Sequence, residues 1–175
     1  MRVAFSGSHR VGKTTLLEAV AAELPRYASV DEPYCELEEQ GYEHFDPPAL
    51  EDFEAQLEQS IASLEGSGRD VLFDRCAADV LAYLLTHEDA DEFDLDEHIE
   101  RVREAMATLD LIVFVPIESP DRIPLPSHEE RRFRQRVHKM LEYLLLEDPH
   151  DFGVEVLVVE GELRQRLASV MPRVR

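Results

Sequence analysis

Gly7-Ser8-His9-Arg10-Val11-Gly12-Lys13-Thr14 matches the pattern G-x-x-x-x-G-K-[ST] at every fixed position. That pattern works in one structural setting only, an apolar strand that ends at the first glycine and a helix that starts at the lysine. Val3-Ala4-Phe5 supplies the strand, and Leu16, Leu17, Val20 and Leu24 recur at helical spacing until Pro25 closes the segment. The glycines let successive backbone N–H groups turn inward around phosphate oxygens, and the helix adds its positive end. Lys13 is expected to reach the β- and γ-phosphates of a nucleotide and the Thr14 hydroxyl to ligate Mg²⁺. The expected nucleotide contacts are therefore Gly7, Ser8, His9, Arg10, Val11, Gly12, Lys13, Thr14 and Thr15, with ATP and Mg²⁺ as the ligands.

The rest of the chain keeps alternating short apolar runs with helical patterns. Tyr27 to Val30 reads as a weak second strand, and Val71-Leu72-Phe73 as a third. Leu111 to Ile117 is the clearest strand, and Val154 to Val159 the fifth. Between them lie an amphipathic helix carrying Leu50, Phe53, Leu57, Ile61 and Leu64, a helix from about Ala78 to Thr86, and one carrying Leu95, Ile99, Val102, Met106 and Leu109. A capping box at Ser127 to Glu130 opens a helix reaching about Glu147, and a last helix spans roughly Glu162 to Val170. Strands that do not alternate are buried on both faces, so the expectation is a three-layer α/β/α domain over residues 1–175 with a five-stranded parallel sheet.

Charge narrows the partners. Asp and Glu number 38 against 18 Lys and Arg, a net charge of −20. Such a field repels nucleic-acid backbones and anionic lipid, so neither is expected as a partner. It is compatible with a bound polyphosphate only where the few positive groups gather at one place. Cys35 and Cys76 form no disulfide framework and read as free thiols in a reducing cytoplasm. No apolar run approaches the ~20 residues of a membrane span, and the amino terminus lacks the pattern of a secretory signal. The acidic run from Glu88 to Asp94 fails as a calcium loop, because Phe93 and Asp94 stand where a ligand and a glycine are required.

Ligands of open α/β sheets bind at the carboxyl ends of the strands. Three polar sets occupy such ends: the phosphate loop, Asp31-Glu32 and Asp74-Arg75. Asp31 or Glu32 could take the proton of an acceptor hydroxyl, and Asp74 could support the metal. Arg75 could pair with a phosphoryl oxygen. Further along, Arg131, Arg132, Arg134 and Arg136 follow a loop holding Pro120, Arg122, Pro124 and Pro126. Arg132 and Arg136 stand one turn apart, as expected of a lid (about residues 118–147) that neutralises charge on a transferred phosphoryl group.

With those residues in view, the sequence resembles the P-loop kinases of nucleosides and nucleotides. Glu32-Pro33 is similar to the Glu-Pro of deoxynucleoside kinases, and the resemblance implies that Glu32 is the base toward the sugar hydroxyl. Asp74-Arg75 falls on their Glu-Arg, or on the Asp-Arg of thymidylate-kinase-like members. The segment from Asp74 through Tyr83, with Asp79 inside it, and the late Gly161…Arg164 are similar to the AAA-type group that includes ribosylnicotinamide kinase domains. Trp does not follow Glu-Pro here, and the lid arginines are not in Arg-Ala-Arg form. The resemblance implies phosphoryl transfer from ATP to the hydroxyl of a nucleoside or ribosylated base. A nucleotide-hydrolysing switch or regulatory ATPase is the alternative, although no N/T-K-x-D base-reading motif is found.

Overall fold

The computed structural model describes residues 1–118 and 127–174. Its sheet contains β1 (Arg2–Ser6), β2 (Ala28–Val30), β3 (Val71–Asp74), β4 (Leu111–Phe114) and β5 (Val156–Val158) in the order β2-β3-β1-β4-β5. Every neighbouring pair is parallel, with Phe5 opposite both Asp74 and Val113, and Val30 opposite Phe73. The carboxyl ends of β2, β3 and β1 are therefore side by side, and the three polar sets share one edge.

Side-chain alternation along the buried strands sends residues into two separate cores. Ala4, Phe73, Ile112 and Phe114 face a layer built from α3 (Leu50–Gly66), α4 (Ala77–Leu84), α5 (Leu95–Met106) and α6 (His128–Glu142). Val3, Phe5, Leu72, Leu111 and Val113 face α1 (Lys13–Glu23) and α7 (Leu163–Val174). Burial on both faces is what the unbroken apolar runs require, and the three layers follow from it. Leu72 is fully buried, so Leu72→Ala is expected to cost about 2–5 kcal/mol.

Several boundaries differ from the sequence reading. The strand that starts at Leu111 pairs only as far as Phe114: the Val115 N–H closes the last ladder bond, to Ser6 O, and Pro116 beyond it has no N–H to continue the ladder. β5 is an edge strand and is not covered on both faces: Val158 stays 44% exposed. The helix from Ser127 gives way to a wider π turn over Tyr143–Glu147, ended by Asp148 in the left-handed region. A helix α2 (Pro33–Glu39) occupies what reads as a polar stretch. Pro33 presets its first turn after an extended Glu32, but only Pro33 and Leu37 are buried, so it carries no apolar stripe to recognise. Its Glu36 accepts hydrogen bonds from Ser63 Oγ at 2.7 Å and Gln59 Nε2 at 3.3 Å, fastening α2 to α3. The expected proline loop with Arg122 lies outside the described residues.

Candidate nucleotide and acceptor site

Two glycines shape the loop between β1 and α1. Gly7 has φ +148°, and a Cβ there would collide with Val115 O; Gly12 caps α1 at φ +86°. The first turn of α1 offers backbone N–H groups that have no intrahelical acceptor. Groups on the outer side of the loop are held by side chains from three helices. Gly7 N–H donates to Asp79 Oδ1 at 3.0 Å, and His9 N–H to Tyr83 Oη at 3.1 Å. Arg134 donates to His9 O (2.9 Å) and Arg10 O (3.2 Å), while Arg166 donates to Val11 O at 2.7 Å. Arg166 also binds Gly161 O at 2.7 Å and Glu118 at 2.9 Å, so α7 and the segment after β4 are pinned to the loop together.

Lys13 is buried and donates to Ser8 O at 3.0 Å. Burial first, then the nearby Arg75 charge, pulls its ammonium down to about 7 against the opposing pull of Asp79, Asp74 and Glu32. Thr14 Oγ1 donates to Asp74 Oδ2 at 2.5 Å, a contact spanning the loop and the end of β3. Asp74 Oδ1 is buried with no hydrogen-bond partner among the described residues. Burial raises the Asp74 carboxyl above its ordinary range, opposed by Thr14, Lys13 and Arg75.

Arg75, in the left-handed region at φ +84°, reaches across the crevice. Its Nε donates to Glu32 Oε2 at 2.8 Å and its Nη1 to Gly7 O at 3.3 Å, with Asp79 Oδ1 at 3.8 Å. The guanidinium lies over the Tyr83 ring, 5.2 Å from its centroid. Burial alone would raise the Glu32 carboxyl, but the Arg75 charge and hydrogen bond outweigh it and hold the group below its ordinary value. Glu32 is thus ionised and oriented. Asp31 is exposed and points to no partner that fixes it among the described contacts.

The sequence-derived residues separate into three groups. The loop, Glu32, Asp74 and Arg75 come together at one crevice. Arg132 and Arg136 are exposed on α6, Arg136 lying over Phe133 at 5.6 Å. Arg134, between them, is fully buried against the loop, and Arg166, not the exposed Arg164, follows Gly161 inward. Spacing from Phe133 and Val137 gave Arg134 no special standing, since its contacts lie more than a hundred residues away in the chain. Asp79 and Tyr83, four residues apart on α4, were visible only inside a resembling segment.

A phosphate-cradling loop at the carboxyl edge of a doubly covered parallel sheet defines a nucleotide-binding α/β protein with the P-loop kinase-like fold. The family model described as AAA domain matches residues 2–166, and the chain belongs to that family. Deoxyadenosine kinase from M. mycoides with bound dATP has a similar structure: TM-score 0.72, 16% identity, 99% of each chain covered. The same kinase with products dCMP and a flexible dCDP gives TM-score 0.69 and 17% identity, over 99% of this chain and 98% of that one. NadR protein in complex with NR gives TM-score 0.64 and 18% identity, over 97% of this chain and 50% of that one. At these identities the likeness is one of fold. No curated protein sequence matches the chain.

Proposed function

We propose that this protein transfers the γ-phosphoryl group of ATP to a hydroxyl of a small nucleoside-like molecule, a nucleoside or a ribosylated base. The observation that carries this reading is the Glu32–Arg75 pair, held beside the phosphate loop by Arg75 Nη1 on Gly7 O. On this reading, the pair offers an ionised carboxylate to an acceptor hydroxyl that faces the terminal phosphate. The acceptor oxygen attacks the γ-phosphorus, its proton passes to Glu32, and the bond to the β-phosphate oxygen breaks to release ADP. Asp31 is the reserve candidate for the base.

Thr14 and Asp74 suit a small, hard cation. Both offer oxygen, and the unpartnered Asp74 Oδ1 is a buried acceptor awaiting a ligand. Among the described residues no cluster of three metal-ligating side chains occurs, so water and phosphate oxygens would complete the shell. Bound there, Mg²⁺ would offset charge on the phosphates. Lys13 supplies a positive charge to the same phosphates once it leaves Ser8 O. Arg132 and Arg136 are the proposed source of further positive charge as the lid region closes and excludes water.

Charge on the acceptor side favours an uncharged or cationic acceptor over a monophosphate. Arg75 is already shared by Glu32 and Asp79, and Asp31 adds a further carboxylate. Structures of similar fold were solved with dATP, dCMP and NR, which supports a nucleoside-like acceptor. A panel of nucleosides, ribosides and nucleoside monophosphates, assayed for acceptor-stimulated ADP release, tests this. Stimulation by nucleosides or ribosides is expected. Equal ADP release with and without every acceptor would instead make the protein a nucleotide hydrolase.

A further inference from the structure

His9 occupies a position of the phosphate loop that the motif leaves open, yet it is among the most constrained residues in the site. The Tyr83 hydroxyl accepts the His9 backbone N–H at 3.1 Å and also lies 3.1 Å from His9 Nδ1. A phenol has one proton to give, and Nδ1 is placed to take it. The ring proton then resides on Nε2. That atom is shielded from water and has no hydrogen-bond partner among the described residues. A buried donor without an acceptor is costly, and such groups call for an explanation in ligand or function.

The groups around the imidazole are held from several sides. His9 O is held by Arg134, Tyr83 is packed against Phe53 and Phe133, and Arg75 covers its ring. The charged groups that bear on the imidazole are Arg75, Arg134, Lys13 and Arg10, all cations. Burial and those four charges keep the ring neutral, its pKa pulled down to about 4. A neutral N–H among four cations is suited to an anion: it adds a directional hydrogen bond without adding a fifth like charge.

We propose that His9 Nε2–H donates a hydrogen bond to the terminal phosphoryl group of the bound nucleotide, with Tyr83 as the positioning residue that fixes the ring. This rests on the phosphotransferase reading above, but it is separable from it by experiment. His9 is thereby a contact of the transferred group, while Tyr83 acts only through His9.

The test uses the full chain labelled with ¹⁵N-histidine, with His9→Gln to assign the His9 signal among the seven histidines. Calorimetry under the same conditions establishes occupancy. The Nε2–H signal is expected to move with the magnesium complex of AMP-PNP and to stay near its free position with that of ADP, which lacks the terminal group. Kinetically, His9→Asn, whose amide is too short to reach, is expected to lower kcat by about 10- to 100-fold, the range for a hydrogen bond to a charged group. His9→Gln, which places an N–H near the Nε2 position, is expected to restore most of that loss, and the accompanying loss in AMP-PNP affinity is expected to be smaller than the loss in kcat. Calorimetric binding with an unmoved Nε2–H signal overturns the His9 assignment and leaves the transfer reading intact. A signal that moves while no acceptor is phosphorylated sustains the assignment and removes the transfer reading. Absence of nucleotide binding overturns both.

Discussion

The phosphate loop and the Glu32 side of the crevice are held in place by different means. Around the loop, backbone groups of Gly7, His9, Arg10 and Val11 are each bound by a side chain from α4, α6 or α7. Across the crevice, Glu32 is held chiefly by one side chain, Arg75, and Asp31 is exposed. A main-chain cradle with several anchors resists single substitutions and suits the phosphates common to all nucleotides. A side-chain pair can be rebuilt by one or two substitutions. On the proposed reading, acceptor choice would reside on the Glu32 side and nucleotide binding on the loop side.

The largest effect is expected from Lys13→Met, which removes the loop's ammonium. Nucleotide-dependent thermal stabilisation should vanish and turnover should fall by at least about 10²-fold. The nucleotide-free variant should be no less stable than the parent at neutral pH, because a buried ammonium is lost. Retention of the nucleotide-dependent shift would break the comparison outright.

Glu32→Gln is expected to cut phosphoryl transfer by about 10²-fold or more while nucleotide affinity stays within about threefold. Asp31→Asn should change transfer by less than about threefold. Reversal of that order, read from kcat for the two variants, would move the base to Asp31.

A smaller effect is expected on α6. Arg134→Met leaves loop carbonyls short of a charged donor and should weaken nucleotide binding by about 10-fold. Replacing Arg132 and Arg136 together should lower turnover more than affinity. Equal losses of affinity and turnover in the double variant would make them ordinary binding residues, and calorimetry beside steady-state kinetics separates the cases.

The smallest signal is a proton. With Lys13 pulled down to about 7 from an ordinary 10.5, the folded chain binds fewer protons than the unfolded chain between those pH values. Stability from this group accordingly rises with pH across that window. Phosphate binding favours the charged ammonium, so nucleotide binding near about pH 8 should take up a fraction of a proton. Calorimetry in buffers of different ionisation enthalpy measures it; zero uptake would mean that Lys13 is already charged in the free protein.

Much of the architecture was legible because burial on both faces writes strands as unbroken apolar runs, as in Val71-Leu72-Phe73 and Leu111 to Phe114. The loop was legible because its glycines are dictated by backbone geometry. Less could be read where contacts are distant in sequence or lack periodicity. α2 carries too few buried residues to show a stripe, and β5 is an edge that apolar composition alone presents as a core strand. In the site, Glu32, Asp74 and Arg75 stood out as polar residues at strand ends, whereas Arg134 and Arg166 reach the loop from α6 and α7 through contacts that no local spacing encodes. Exposed and buried arginines on one helix look alike until the fold places them.

The central claim, that a phosphate-binding loop and an acceptor carboxylate act on one phosphoryl group, is tested most directly by ³¹P NMR of the reaction with ATP, Mg²⁺ and the nucleoside and riboside panel. A new phosphomonoester resonance, growing as the γ-phosphate signal declines and absent in Glu32→Gln, is the predicted result. Inorganic phosphate as the sole product with every acceptor, or no loss of ATP at all, would contradict it.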